Sequence, residues 1–181
     1  MLDAVRASVL AVGVRRTTLT DVARRAGVSR MTLYRRAPDV TALILELLAR
    51  DLGAVLAGEE QRAAHLPTGR ARLVAIAVGI VERLPKEPLL RRVLEVDPEL
   101  LLPYLVQRQG STQRLAVAEV RRLLDEAVGD GSVRRCDTAV VAVCLVQVIT
   151  PFVVGRSVLP RGTVGAARAE LTRMLDGWLA P

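Results

Sequence analysis

The chain has 181 residues, of which 51% are apolar, so it can bury a full hydrophobic core and is not expected to be disordered. Aromatic residues make up only 2%, which leaves the core to leucine, valine and alanine. The formal net charge is +7, and residues 1–40 contain eight arginines against three aspartates. This concentration of positive charge indicates a phosphate-rich partner, either nucleic acid or an anionic membrane surface.

Few residues suit enzyme chemistry or metal binding. His65 is the single histidine, and Cys136 and Cys144 are the two cysteines, so no zinc-ligand spacing exists. The chain has neither a Ser/His/Asp arrangement nor a Gly-rich phosphate loop. We therefore predict no catalytic site, no metal and no cofactor, and we expect free, largely buried thiols. We also expect no signal peptide and a cytoplasmic location, because the N-terminal residues lead straight into an amphipathic pattern.

The first predicted helix spans residues 2–12 and ends at Gly13. Val5, Val9 and Val12 recur along one stripe of this helix, as in an amphipathic helix with one buried face. Further aliphatic side chains should complete a small three-helix core, namely Leu10, Leu19, Val22, Val28 and Leu33.

Residues 18–36 predict two short helices separated by a tight turn. Thr18 can cap the first helix, and Asp21 three residues later can return the hydrogen bond, as in a capping box. Gly27 follows the end of this helix, where glycine adopts a positive φ at little cost. Ser29 can then cap the second helix. Helix, glycine turn and helix in this order predict a helix-turn-helix, whose second helix enters the major groove of DNA.

A helical hairpin without any binding role could show the same pattern. The second helix nevertheless directs Arg30, Met31, Tyr34 and Arg35 outward, and these side chains suit phosphates and base edges. The unit also lies in the most basic part of the chain. We therefore predict that it binds double-stranded DNA.

The rest of the chain predicts further helices and no strand, because no stretch keeps a two-residue alternation. Asp39 can cap a linking helix of about residues 40–56. The segment from Gly58 to Gly69 is polar and contains Pro67, so we expect a loop there. The further predicted helices span residues 70–83, 89–96, 99–107, 112–128 (capped by Ser111), 137–154 (opened by Asp137) and 163–179 (capped by Thr163).

These elements predict an all-α fold with two domains. Residues 1–39 should form a helix-turn-helix DNA-binding domain. Residues 40–181 should form a helical bundle for ligand binding, regulation and dimerisation, joined to the first domain by the linking helix.

The predicted helix at residues 138–154 is apolar around most of its circumference, so it must be buried on several sides. A membrane span would need about 20 apolar residues, whereas Gln147, Thr150 and Pro151 interrupt this segment. The helix could pack within the core of its own chain, or between that core and a second copy of the chain. We predict the second arrangement, in which two helices from each chain form a four-helix interface. The predicted interface residues are Val140, Val143, Cys144, Gln147, Leu171, Met174, Leu175 and Trp178.

The N-terminal segment resembles the TetR family of transcriptional regulators. The match runs from Gly13 through Thr18, residues 26–29 and residues 33–34 to Leu43, so it covers about the first 45 residues. The rest of the chain is similar to the family only in the order and length of its helices.

Four positions depart from the family pattern. Arg36 and Ala37 stand where the family usually has His-Phe, Met31 replaces a frequent glycine, and Val40 stands where a lysine is common.

The resemblance implies a dimeric repressor whose body binds a small molecule that releases the DNA. It also implies that Thr18, Tyr34 and Arg35 contact phosphates, while residues 29–31 and Tyr34 face bases or backbone. Two DNA-binding domains on one dimer would require an inverted-repeat operator with half-sites ~34–36 Å apart. The predicted DNA-binding residues are Thr18, Ser29, Arg30, Met31, Thr32, Tyr34, Arg35 and Arg36.

The ligand should be a small apolar molecule in an aliphatic pocket among the helices between Leu43 and Leu124. Glu82, Tyr104 and Gln107 are candidate polar groups of that pocket, although each could equally be a surface residue. A helical ligand-binding or scaffolding dimer that no longer reads DNA is the alternative function.

Overall fold

A computed structural model describes residues 1–102, 110–155, 160 and 162–181. The chain is all-α, as predicted, and none of the described residues lies in a strand. Within these ranges, no helix is long and apolar enough to cross a membrane. The helices whose bounds lie within the described residues are α1 (Leu2–Val12), α2 (Leu19–Ala26), α3 (Arg30–Arg36), α4 (Val40–Ala63), α5 (Gly69–Arg83), α6 (Pro88–Val96), α7 (Ser111–Gly129), α8 (Thr138–Val154) and α9 (Val164–Leu179).

Two short 3₁₀ turns accompany these helices, at Leu84–Lys86 and Pro98–Leu100. The second turn corrects the start of the helix predicted over residues 99–107, because residues 98–100 form a 3₁₀ turn and the described α-helical residue of that segment is Leu102. Residues 103–107 of that predicted helix lie outside the described ranges.

The chain packs as two compact units. The first unit is formed by Met1–Asp51 and Lys86–Thr112, and the second by Leu52–Pro85 and Gln113–Pro181. The boundary falls within α4, so this helix contributes its first half to one unit and its second half to the other. The first unit therefore contains the segment predicted to bind DNA, together with α6.

In the first unit, α2 contacts both α1 and α3, which gives the three-helix arrangement expected from the sequence. Its aliphatic core continues along the first half of α4 and into α6, as the burial of Leu43, Leu47 and Leu89 shows. The buried side chains of the three N-terminal helices are Val5, Val9, Leu19, Val22, Ala23 and Leu33.

The predictions of a buried stripe with Val12 and of a core position for Leu10 in α1 are wrong at these two residues. Leu10 is 38% exposed, and Val12 is exposed as well. The buried side of the helix is instead formed by Val5, Ser8 and Val9, at the i, i+3 and i+4 positions of one face. Leu10 and Val12 lie outside this face, although both are aliphatic.

Two of the predicted caps of the later helices form, at Asp39 and Asp137, and the one predicted at Thr163 does not. Asp39 accepts a hydrogen bond from the N–H of Ala42 at 2.7 Å, and Asp137 accepts two such bonds at the start of α8. Thr163 does not cap α9 as predicted, because its hydroxyl donates to the carbonyl oxygen of Pro160 instead.

The linking helix is longer than predicted. It was expected to end near residue 56, before a loop from Gly58 to Gly69, but α4 continues to Ala63. The chain turns only at residues 64–68, where Pro67 lies.

A buried carboxylate explains why α4 continues. Glu59 is almost fully buried, and its Oε1 accepts hydrogen bonds from Arg62, at 2.7 Å, and from Arg83 of α5. Gly79 makes this possible, because a Cβ at that position would overlap the carboxylate. The ion pair thus links the end of α4 to α5, and a buried carboxylate with two arginine partners is costly to separate.

The start of α5 is held by the turn that follows α7. The hydroxyl of Thr68 caps the helix, and the N–H of Gly69 donates to a carboxylate oxygen of Asp130 at 2.6 Å. The N–H of Arg70 donates to the hydroxyl of Ser132 at 2.9 Å. These bonds satisfy N–H groups that have no partner inside the helix.

The same bonds lower the pKa of Asp130. Hydrogen bonds from Ser132, and then from the backbone N–H of Gly69, favour the charged carboxylate. Because the pKa is lower in the folded state, this stabilisation is present above the unfolded pKa and is lost as the pH falls through the folded one.

Gly69 lies where α5 packs closely against α7. A Cβ at Gly69 would stand 2.6 Å from the Cα of Ala127, which is backbone and cannot rotate away. We expect Gly69→Ala to lower the free energy of unfolding by about 1–3 kcal/mol, the usual cost of overpacking. Chemical denaturation followed by circular dichroism measures this change.

The matched control is Gly177→Ala in α9, where a Cβ meets nothing within 4 Å. This change should be neutral or stabilise by about 0.5–1 kcal/mol, because alanine favours the helix. Equal destabilisation by both substitutions would contradict the packing argument.

Candidate nucleic-acid interface

The helix-turn-helix has the local geometry that the sequence predicts. The hydroxyl of Thr18 accepts the N–H of Asp21 at 3.1 Å, and the hydroxyl of Ser29 accepts the N–H of Thr32 at 3.1 Å. Between the two helices, Gly27 adopts φ 67° and ψ 28°, the left-handed conformation that favours glycine. The start of α3 is therefore fixed by a cap immediately after the turn.

The bonds around Thr18 differ from the predicted capping box. Asp21 accepts a hydrogen bond from the hydroxyl of Thr18, at 2.6 Å, whereas a capping box would use the backbone N–H. The other oxygen of Asp21 accepts from Arg24 at 2.8 Å. Because the hydroxyl of Thr18 donates to a carboxylate, its proton is not available to a DNA phosphate in this state.

The eight residues predicted to contact DNA all lie on the surface. Within α3, Leu33 points inward and is fully buried, whereas Met31 is 66% exposed and Tyr34 is 53% exposed. Exposed large side chains on a helix that has one buried anchor indicate an interaction surface. We call the exposed side formed by Arg30, Met31, Tyr34 and Arg35 the reading face.

The charges of α3 are not equivalent. Arg36 pairs with Glu46 of α4, so part of its charge is neutralised and its side chain is attached to the linking helix. In the part of the chain that the structure describes, Arg30 and Arg35 have no acidic partner. The free positive charge of α3 therefore lies on the reading face.

Two ion pairs attach α1 to α4 within the first unit. Arg6 pairs with Asp51, which is buried, and Asp3 pairs with Arg50 at 2.9 Å. The hydrogen bond from Arg50 lowers the pKa of the Asp3 carboxyl, because it favours the charged carboxylate. The position of the N-terminal helices thus depends on the linking helix.

A further contact joins the turn after α1 to the end of α6. Asp97, which follows α6, is buried, and its carboxylate accepts the backbone N–H of Val14 at 3.0 Å. Its other oxygen lies 3.1 Å from Nε of Arg15, which also pairs with Glu99. Sequence reasoning missed this contact, because no periodicity relates residues more than eighty positions apart.

The ligand-binding candidates are only partly placed by the structure. Glu82 lies at a surface cleft and pairs with Arg168 at 2.9 Å, while Tyr104 and Gln107 lie outside the described residues. The second unit also contains a small apolar cavity of about 30 Å³. Its walls come from α4, α5, α7 and α8, and include Leu52, Leu56, Leu73, Ile76, Ile80, Leu123 and Ile149.

The residues predicted for the dimer interface fall into two groups. Leu171 and Leu175 are buried within the chain itself, where α9 packs on α5, so they are core residues rather than free interface residues. Val140 is 57% exposed and Met174 is 49% exposed, although both are apolar. Of the remaining four, Cys144 and Gln147 are exposed, and Val143 and Trp178 are half-buried.

The cysteines are free thiols. Cys136 is half-buried and Cys144 is exposed, which corrects the expectation that both are largely buried. The described residues contain no cluster of three or more His, Cys, Asp or Glu side chains suited to a metal ion.

Comparison with known proteins identifies the family. The family model described as bacterial regulatory proteins of the TetR family matches residues 1–47. A helix-turn-helix transcriptional regulator of Mycobacterium bovis is 33% identical over 181 residues, which cover 99% of this chain and 92% of the relative. The chain belongs to the TetR family. It is accordingly a DNA-binding transcriptional regulator.

Other relatives agree with this assignment. A helix-turn-helix regulator of Mycobacterium tuberculosis is 32% identical, with the same coverage of both chains. Among solved structures, the TetR-family repressor AlkX from a Dietzia species gives a TM-score of 0.71 at 20% identity, with 98% of this chain and 91% of that chain covered. The repressor QsdR from R. erythropolis gives a TM-score of 0.70 at 16% identity, with 99% and 94% covered. These structures share the all-α fold.

The cap of α3 can be tested directly. Ser29→Ala removes the side-chain acceptor for the N–H of Thr32, so we expect the free energy of unfolding to fall by about 0.5–2 kcal/mol. Thermal and chemical denaturation measure this loss.

Ser29→Gly is the control, because glycine at a cap position costs only a few tenths of a kcal/mol relative to serine. If alanine and glycine at residue 29 left the stability equal to that of the wild type, the hydroxyl would not be stabilising α3.

Proposed function

We propose that this regulator is a homodimeric repressor that binds an inverted-repeat operator in the cytoplasm and is released by a small apolar ligand. In this proposal residues 1–39 bind DNA, and residues 40–181 carry the regulatory and dimerisation functions. The observation that carries it is the reading face, where basic and large side chains are exposed on a helix that is capped and anchored at its other side.

The chemistry of the reading face fits DNA. Arg35 and Tyr34 can donate hydrogen bonds to phosphates, while Arg30 can bind the O6 and N7 atoms of guanine. Met31 is apolar and exposed, which suits contact with the methyl group of thymine. In the family, this position is often glycine, so the bulk of Met31 should give this protein its own sequence preference.

Exposed apolar residues on α8 and α9 support the dimer. Val140 of α8 and Met174 of α9 lie outside the core of the chain, and α8 has few polar residues with which to face water. A second copy of the same two helices would cover these side chains. Such a four-helix interface would hold two reading faces at a fixed separation.

The apolar cavity supports ligand control through α4. Leu52 and Leu56 of α4 line this cavity, whereas Asp51 and Arg50, just before them, pair with α1. A cavity of about 30 Å³ is too small for most ligands, so a ligand would have to move its walls. Ligand binding releases DNA if the state with the enlarged cavity places the two reading faces at the wrong separation.

Two substitutions test the reading face. Tyr34→Ala or Arg35→Ala should abolish specific operator binding, because each removes a phosphate contact, while the dimer remains intact. A DNA duplex enriched by the wild-type protein from a random pool is the probe, and a gel shift measures binding. Size-exclusion chromatography with light scattering measures the dimer.

The control is Arg135→Ala, which removes an exposed arginine from the second unit and should leave operator binding unchanged. Normal operator binding by both the Tyr34 and the Arg35 variant would overturn the assignment of the reading face. If the wild-type protein enriched no duplex, the proposal that it binds a specific operator would be contradicted.

Two further substitutions test the dimer. Val140→Glu together with Met174→Glu should give monomers and weaken operator binding, since the interface would have to bury charged groups without partners. Sedimentation velocity measures the oligomeric state, and circular dichroism shows that the helices remain. A dimer of unchanged stability in this double variant would rule out this face as the interface.

A further inference from the structure

A cleft between α1 and α2 lies outside the reading face. It has a volume of about 470 Å³ and is lined on one side by Ala11 and Val12 of α1. On the other side it is lined by Arg24 and Arg25 of α2, and Arg16 from the preceding turn also borders it. We call it the α1–α2 cleft.

The α1–α2 cleft carries an excess of positive charge. Asp21 is its only acidic lining residue among those described, and it pairs with Arg24 at 2.8 Å. Arg16 and Arg25 are exposed, and neither has an acidic partner within the described ranges. Two guanidinium groups are therefore free to bind an anion.

The α1–α2 cleft lies beside the start of α2, because Thr17 and Asp21 are among its lining residues. The hydroxyl of Thr18 is bonded to Asp21, which holds Arg24 at the wall of the cleft. A phosphate that enters the cleft finds its free donors on Arg16 and Arg25, which are exposed and line it. Ala11 and Val12 offer an apolar wall against which a deoxyribose can lie without losing hydrogen bonds.

We propose that Arg16 and Arg25 bind DNA phosphates that flank each half-site, so that the α1–α2 cleft extends the interface beyond the reading face. This inference rests on the proposed operator binding. Contacts to phosphates carry no sequence information, so the two arginines add affinity to every DNA sequence and do not change which sequence is preferred.

The salt dependence of DNA binding tests the inference. Fluorescence anisotropy at several salt concentrations gives the slope of log K against log salt for the enriched duplex and for a duplex of random sequence. Removing one phosphate-binding arginine should reduce the slope by about 0.9, so Arg16→Gln or Arg25→Gln should reduce it by about 1.8 in a dimer with both DNA-binding domains bound. The ratio of affinities for the two duplexes should stay constant.

Shortening the duplex gives a second readout. Removing about five base pairs, half a helical turn, from each flank should weaken binding by the wild type. The same removal should leave the Arg16→Gln, Arg25→Gln double variant unchanged, because its flanking contacts are already gone. The melting temperature of the double variant should match that of the wild type, since neither arginine has an acidic partner to lose among the described residues.

Arg135→Gln is the matched control, since it removes the same charge from an exposed position in the second unit. The inference is overturned if the slopes of the Arg16 and Arg25 variants equal that of the wild type or that of this control. If the wild type enriches no duplex, the proposal of a specific operator is contradicted. The salt slopes measured on random DNA still test whether Arg16 and Arg25 bind phosphates.

Discussion

The buried carboxylate of Asp97 is the contact on which the placement of the DNA-binding helices depends. It accepts the N–H of Val14 and pairs with Arg15, so the turn between α1 and α2 is attached to the end of α6. Breaking this contact would leave a buried charge and a backbone N–H without partners, and the unpaired N–H alone costs about 1–3 kcal/mol. Because Asp51 attaches α1 to α4 in the same unit, the helix-turn-helix is held from two directions. We therefore propose that a change in α4 or α6 is passed to the reading face through these two contacts.

The proposed ligand control depends on α4, because this helix contributes residues to both units. Its first half carries the partners of α1, and its second half lines the apolar cavity and contains Glu59, which is paired with Arg83 of α5. We propose that α4 transmits the displacement caused by the ligand, since the backbone hydrogen bonds of a helix resist bending. In the proposed mechanism, the ligand has to prefer the displaced state by a free energy comparable to that of operator binding. An enlarged cavity provides this preference, because its apolar walls have packing partners only when the ligand is present.

Local features were predictable from the sequence, and long-range ones were not. The caps at Thr18 and Ser29 and the left-handed Gly27 follow from short-range hydrogen bonding and backbone sterics, so the helix-turn-helix was located correctly. The eight candidate DNA contacts could be named by position, and the structure adds that all of them are exposed. The Asp97 contact, by contrast, depends on tertiary packing, and so does the extension of α4 past Glu59. Composition likewise cannot tell whether an aliphatic residue such as Leu171 serves its own core or a second chain, since both environments are equally apolar.

The dependence of operator affinity on half-site spacing tests the central claim most directly. If the two reading faces are held at a fixed separation by Asp97, Asp51 and the dimer, inserting about five base pairs between the half-sites should abolish cooperative binding by the wild type. In Asp97→Ala, binding should be weaker on the original operator and should discriminate less between the two spacings. Asp97→Asn keeps an acceptor for the N–H of Val14, so its operator affinity should lie between those of the wild type and Asp97→Ala. Equal affinity of the wild-type protein for both spacings would contradict the claim, because it would mean that the two DNA-binding domains bind independently.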